Sequence, residues 1–308
     1  MGKALIQLHT AVFLWGFTAI FGKLITLDAA TLVWYRMLLT AIFMLAILYI
    51  KNEKIIISFD NFKKLSWIGF LMALHWLAFY ASIKLSNASV ALVCLATSSL
   101  FTSIIAPILN NTSFKIREVL LGTLSLVGMY CIYHFQVEYK WGIITGIIAA
   151  FLSAVFTVYN KRIANEIPVK TMVFYEMASG FILLSLSIPV LLQFTPEMHF
   201  LPQQIEIGKL IQQFPQALIL QPNDWIWLIC ISLFCTVWAQ TLALNALKKL
   251  NAFTVALSVN MEPIYGVLLA IIFLNEGTQL GLGFIIGMCL IMLSVGLQMV
   301  QLLKRKNQ

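Results

Sequence analysis

Apolar runs of about twenty residues, separated by short polar breaks, recur from one end of the chain to the other. With about 20 residues needed to cross a bilayer, this pattern predicts ten transmembrane helices, at 5–25, 31–50, 65–84, 88–109, 116–134, 141–160, 171–192, 225–247, 252–274 and 280–303. Most intervening segments are short, so sequence neighbours are expected to pack as antiparallel hairpins. The exception is 193–224, where Pro196, Pro202, Pro215 and Pro222 flank an amphipathic patch of Ile205, Ile207, Leu210, Ile211 and Phe214. Such a patch suits a surface-lying segment or a lid, and equally a simple insertion of the kind surface loops accept at low cost.

The ninth apolar run is interrupted near its middle by Asn260-Met261-Glu262-Pro263. A carboxylate at that depth costs several kcal/mol unless it is paired or hydrated. Pro263 lacks an N–H and is expected to leave the Val259 carbonyl without its helical partner. Irregular backbone at membrane depth persists only inside protein or beside a water-filled cavity, so the tetrapeptide predicts a polar site in mid-membrane.

Sliding one half of the chain over the other exposes a weak internal repeat. At a shift of 164, Lys84 meets Lys248, Asn87-Ala88 meets Asn251-Ala252, Ala106 meets Ala270, Ile108 meets Ile272 and Asn111 meets Asn275. The same register sets Ser98-Ser99 against Glu262-Pro263. Earlier in each half, Trp34-Tyr35-Arg36 corresponds to Phe174-Tyr175-Glu176, and Lys23 to Lys161. Two units of five helices, 5–134 and 141–303, must then sit in the membrane with opposite orientations, because five is odd. The predicted fold is an all-α membrane protein of ten transmembrane helices in two inverted five-helix repeats, an architecture whose substrate sites usually lie between the repeats near the midplane.

Composition agrees. Of 308 residues, 61% are hydrophobic and 10% charged, too apolar for a soluble domain. The first run follows a single Lys3 and carries no small-residue cleavage site, which favours a first membrane helix over a signal peptide. The net charge of +8 follows topology rather than nucleic-acid binding. Lys3; Lys51, Lys54, Lys63 and Lys64; Lys115 and Arg117; Lys161, Arg162 and Lys170; Lys248 and Lys249; and Lys304, Arg305 and Lys306 fall on one side, against Lys84, Lys140 and Lys209 on the other. The positive-inside rule places the basic side, with both termini, in the cytoplasm. Cys94, Cys131, Cys230, Cys235 and Cys289 all lie in apolar runs with no CxxC pair, so neither a disulfide framework nor a metal site is expected, and no cofactor is expected.

Glu262 is the leading candidate, able to neutralise a substrate ammonium, to exchange a proton, or to pair with a buried base. Thr254 and Ser258, four and eight residues earlier, extend a polar stripe toward it. From the symmetry-related helix, Thr97 and Ser98 offer hydroxyls, although Ser and Thr at such spacing also serve close helix packing. His75, Trp76, Tyr80, Trp238, Gln240 and Tyr265 combine aromatic walls with donors, as a small-molecule cavity requires. Arg36 and Glu176 are expected not to pair with each other, and to tie helix ends or form parts of a gate. Lys23 is placed to snorkel to the interface. The pairs Gly142/Gly146 and Gly283/Gly287 permit close helix approach within one chain or between two, so monomer and homodimer both stay open.

Trp15-Gly16 with Lys23, Arg36, His75-Trp76, and Glu262-Pro263-Ile264-Tyr265-Gly266 leading to Phe273-Leu274-Asn275-Glu276 resemble the EamA-type, ten-helix branch of the drug/metabolite transporter superfamily. The likeness spans nearly the whole chain. It implies a multi-pass carrier of the inner membrane, usually an exporter of amino acids or other small metabolites, with a cavity between its halves. Ser99 and Thr112 stand where the family often has proline and glutamate in the first half, and the long 193–224 segment departs as well. No GxxxxGK[ST] motif is present, so a solute or proton gradient is the expected driving force. The competing classes are an intramembrane enzyme, for which no HExxH or GxSxG motif is found, and a sensor or channel.

Overall fold

In the computed structural model, residues 2–86, 88–132, 139–191, 220–274 and 282–306 are described. The greater part of the 193–224 segment, together with Asn87, Lys209 and Asn275-Glu276, lies outside them. The described residues are helical almost throughout. They form α1 (Gly2–Leu24), α2 (Ala29–Ile50), α3 (Phe59–Leu85), α4 (Ala88–Leu95), α5 (Ser98–Asn110), α6 (Ile116–Ile132), α7 (Lys140–Ile163), α8 (Val169–Leu191), α9 (Pro222–Ser232), α10 (Ala239–Lys249), α11 (Ala252–Val259), α12 (Glu262–Leu274) and α13 (Leu282–Lys306). A π-helical turn, Leu233–Trp238, joins α9 to α10. Six helical stretches among the described residues are long and apolar enough to cross a membrane.

Local chemistry sets the ends. Asp28 starts α2 by accepting the N–H groups of Ala30 (2.8 Å) and Thr31 (3.0 Å), and Asn251 starts α11 by accepting that of Thr254 at 2.7 Å. Pro222 opens α9 at a position where its missing N–H has no consequence. Asn111 closes α5 in the left-handed region, with φ of 50°, a conformation that asparagine tolerates better than most residues.

Two expected helices are each broken. The run 88–109 divides at Ala96-Thr97 and the run 252–274 at Asn260-Met261. The bounds of α4 and α5, advanced by 164, are those of α11 and α12, the same register at which the sequences match. The break also gives Pro263 a milder setting than the middle of a helix. Because α11 ends at Val259, the proline falls in the first turn of a new helix, where an N–H would lack an intrahelical acceptor anyway. The four pieces pack crosswise, α11 on α5 and α12 on α4. The breaks meet: Asn260 donates from Nδ2 to Ser99 Oγ at 3.0 Å.

The largest buried cluster draws on α1, α2, α3, α7, α8 and α10. The outward surface is also apolar, with Ile42, Trp67, Phe151 and Leu186 exposed, as a lipid-facing surface requires. Both glycine pairs are used within the chain. A Cβ on Gly146 would lie 2.6 Å from Cys94 Cβ, and one on Gly128 would lie 2.8 Å from the Gly287 carbonyl. Small residues here let α7 approach α4 and α6 approach α13.

Candidate functional site

A cavity of about 90 Å³ lies among α1, α2, α3, α7, α10 and the broken helix α11/α12. A single water needs roughly 10–15 Å³ on this measure, so the space suits several waters or a small solute. Its wall is built by helical periodicity. Met72, His75, Trp76 and Phe79 face it from α3; Ser153, Thr157 and Asn160 from α7; Val255, Val259 and Glu262 from α11 and the start of α12. Each set recurs at three- and four-residue spacing, which puts its members on one helical face.

Arg36 is the cation of this cavity and is 1% exposed. Its guanidinium donates from Nε to Thr236 Oγ1 (2.9 Å), from one terminal nitrogen to the Tyr80 hydroxyl (2.9 Å) and from the other to the Cys235 carbonyl (3.4 Å). The group also stacks on Trp76, 3.9 Å from the ring centroid. The π-turn supplies two of these acceptors. Within it the Ala239 N–H bonds Phe234 O instead of Cys235 O, which α-helical spacing would assign. The carbonyl thus accepts side-chain donors, Arg36 and also Trp15 Nε1 at 3.0 Å. Inserted π-turns of this kind are frequent at functional sites for the same reason.

Glu262 is the acid, 4% exposed at the first position of α12. A carboxylate in the first helical turn faces unpaired backbone N–H groups and the positive end of the helix dipole. Arg36 acts on it electrostatically, yet no ion pair joins them: three of the five Arg36 N–H donors bond Thr236, Tyr80 and Cys235, which leaves two for another acceptor. Opposite charges from two parts of the chain thus border one space without neutralising each other by contact. His75 is 2.7 Å from the Ala149 carbonyl through Nδ1. A carbonyl only accepts, so Nδ1 carries the proton.

Of the residues proposed from sequence, the cavity brings together Glu262, His75, Trp76 and Gln240, and adds Arg36. Tyr80 stands behind Arg36 as its acceptor. Thr97, Ser98, Ser258 and Tyr265 are not in the wall. Thr97 bonds the Cys94 carbonyl (2.6 Å), Ser98 is buried while its carbonyl accepts from Thr102 (2.7 Å), and Ser258 bonds the Thr254 carbonyl (2.9 Å). Thr254 in turn accepts from Gln298 of α13 at 3.0 Å, so the 254/258 stripe faces α13 and not the cavity. Tyr265 fits against Gly16 and sets its ring edge-on to Phe13. Trp238 is 51% exposed. Residues two apart on a helix point to nearly opposite sides, so Trp238 faces outward while Gln240 faces the cavity. Lys23 is exposed at the end of α1, and Glu176 is buried without an ion pair. Thr18, Ser153, Thr157 and Asn160 were missed, although the spacing of the last three was a legible stripe.

One end of the bundle is latched. Asp224 accepts the Thr26 N–H (2.8 Å), the Thr26 hydroxyl (2.7 Å) and the Gln221 N–H (3.2 Å), and Phe21 stacks on Trp227 beneath it. Wall residues toward the other end, among them Asn160, Leu247 and Val255, lie within about a turn of their helix ends.

A bundle that is helical almost throughout its described residues, apolar outside and with Arg36 and Glu262 on an inner cavity, is that of a membrane-embedded protein. The EamA-like transporter family model matches residues 2–134 and again 140–300. The chain belongs to that family, within the drug/metabolite transporter superfamily. It is similar to an uncharacterized transporter of Archaeoglobus fulgidus, 24% identical over 281 residues, covering 89% of this chain and 90% of the relative. It also shares its fold with a crystal structure at a TM-score of 0.71 and 15% identity, covering 100% of this chain and 99% of the other.

Proposed function

We propose that the protein is a secondary transporter that carries a small zwitterionic metabolite, an amino acid or close relative, through the central cavity by alternating access. The observation behind this reading is the placing of Arg36 and Glu262 on one enclosed space without contact between them. Arg36, oriented by Thr236, Tyr80, Cys235 and Trp76, receives a carboxylate. Glu262 receives an ammonium. His75 and Gln240 supply further polar contacts, and Trp15, Trp76 and Phe79 accommodate an apolar side chain.

The moving parts are the two units 5–134 and 141–303, disposed as inverted five-helix repeats in a ten-helix bundle. The common register of the two broken helices and their crosswise packing support that arrangement. Arg36 comes from the first unit and Glu262 from the second, so a solute holding both draws the units together. The latch at Thr26–Asp224 closes one face. With the basic segments in the cytoplasm, both termini lie inside, the latched face is the outer one, and export from the inner membrane is the direction expected.

The test is counterflow in proteoliposomes with radiolabelled L-amino acids, alongside their decarboxylated and deaminated analogues. Saturable exchange of the zwitterions, lost in Glu262→Gln, is the expected result. Exchange of neither amino acids nor a wider metabolite panel would overturn the reading, and ionic current without saturable exchange would replace it with a channel.

A further inference from the structure

The cavity does not account for Glu176. About two turns into α8, this residue is fully enclosed, at 0% exposure, and neither carboxyl oxygen has a hydrogen-bond partner. Gly69 of α3 packs directly on its backbone. The polar side chain that reaches it is Asn160 of α7, at a geometry short of a hydrogen bond, and the Asn160 amide oxygen is likewise without a donor.

Arg36, Tyr80, His75, Lys64, Lys161, Arg162 and Lys170, on the elements packed around it, bond other partners. Arg36 on α2 bonds Thr236, Tyr80 and Cys235; Tyr80 on α3 accepts from Arg36; and His75 on α3 bonds Ala149. Lys64 at the start of α3 pairs with Glu166. On α7, Lys161 donates to the Leu247 and Lys248 carbonyls and Arg162 to Asn110 and Leu109. On α8 itself, Lys170 pairs with Glu53. Lys248 and Lys249 end α10. None of these bonds the Glu176 carboxyl.

An ionised carboxylate enclosed without a partner is among the most costly arrangements in a protein interior, and such a group takes up a proton instead. The proton also answers a shortage of donors, since it turns one of the acceptor oxygens into a donor. Asn160 is at once neighbour to Glu176 and part of the cavity wall, whereas Glu176 does not reach the cavity. The amide therefore stands between the carboxyl and the cavity space. Loss of the proton leaves a carboxylate that needs water or a donor, and the side from which either can come is that of Asn160.

We propose that Glu176 and Asn160 form a proton-binding site separate from the substrate site at Glu262, with Glu176 holding the proton and Asn160 governing its exchange with the cavity. Resting on the transport reading above, this proton is the one that couples solute movement to a pH gradient.

Infrared spectroscopy of the purified full chain in lipid nanodiscs tests the site without any solute. At neutral pH the wild type should show a component of the protonated-carboxylic-acid C=O stretch that is retained in Glu262→Gln and missing from Glu176→Gln, whatever band Glu262 itself contributes. Glu176→Asp, which keeps an acid, should retain the band at a shifted frequency, so a poorly folded Gln variant does not decide the matter. In Asn160→Leu the deuterium shift of the band on transfer to heavy water should slow at least about tenfold, because exchange then waits on rarer opening. A wild type lacking the band, or the band unchanged in Glu176→Gln, overturns the site, and unaltered exchange in Asn160→Leu overturns the route. In proteoliposomes loaded with radiolabelled neutral L-amino acids, Glu176→Gln should keep counterflow and lose accumulation driven by a pH gradient. Accumulation that persists in this variant overturns the coupling. Absence of counterflow from the wild type removes the transport reading instead, and the infrared result then decides the proton site alone.

Discussion

Arg36→Lys separates the geometry of the central cation from its charge. The guanidinium reaches three acceptors in three directions, Thr236 Oγ1 and the Tyr80 hydroxyl at 2.9 Å and the Cys235 carbonyl at 3.4 Å, while its plane rests on Trp76 at 3.9 Å. A lysine ammonium keeps the charge, but it is a shorter point donor with no planar face. It cannot meet all three acceptors and the ring together. Hydrogen bonds to a charged group contribute about 1.5–3 kcal/mol each, and a desolvated cation–π contact contributes about 2 kcal/mol. Loss of one hydrogen bond and weakening of the ring contact, partly offset by new bonds of the ammonium, leaves the cation held less firmly by roughly 2 kcal/mol, a figure that, if it is all recovered from solute binding, caps the loss of affinity at about thirtyfold. Counterflow in proteoliposomes at graded amino-acid concentrations should therefore show a half-saturation raised by at least about tenfold, with expression unchanged. A lysine variant that exchanges with wild-type half-saturation would refute the reasoning, because positive charge alone would then suffice.

Glu262→Gln should abolish zwitterion counterflow while leaving expression intact, and full activity in that variant would remove the carboxylate from the mechanism. Asp224→Asn replaces the charge-assisted acceptor of the Thr26 latch and weakens it by about 1–3 kcal/mol; maleimide labelling of a cysteine introduced at Phe21 should become faster, and an unchanged rate would show that the latch does not hold that face shut. Asn260→Leu removes the donor to Ser99 that joins the two helix breaks, and thermal unfolding in detergent should begin at a lower temperature. Trp238→Ala should leave half-saturation within about twofold of wild type, since an exposed side chain outside the cavity wall contributes little, whereas a marked rise would place the tryptophan at the solute after all.

The fold class was readable because its cause is local. A membrane helix satisfies its own backbone, so an apolar run of sufficient length declares it without reference to any neighbour. The irregularity of the ninth apolar run was readable as well, because Glu262 and Pro263 contradict an otherwise apolar segment, and the helix does break beside them. Register at 164 was visible in a few identities, and it governs the helix bounds from 88 to 110 and from 252 to 274. Spacing alone would also have offered Ser153, Thr157 and Asn160 as a polar face.

What sequence did not reveal was the use made of each polar group. A hydroxyl in a helix can turn back on its own backbone or out to a partner, and composition does not distinguish the two. Ser98 and Ser258 lie close to Glu262 in the repeat or along the chain, yet they stand away from the cavity, while Thr236 supports Arg36 from another helix. That support depends on the π-turn, which releases one carbonyl by shifting the hydrogen bond of Ala239. The chain by itself marked Glu262 as an acid inside an apolar run, a residue that calls for a polar setting because the cost of burying charge is intrinsic to it. Only the tertiary structure set Arg36 and Glu262 on one cavity, because α2 and the broken helix α11/α12 are far apart in the chain and are brought to the same space by packing.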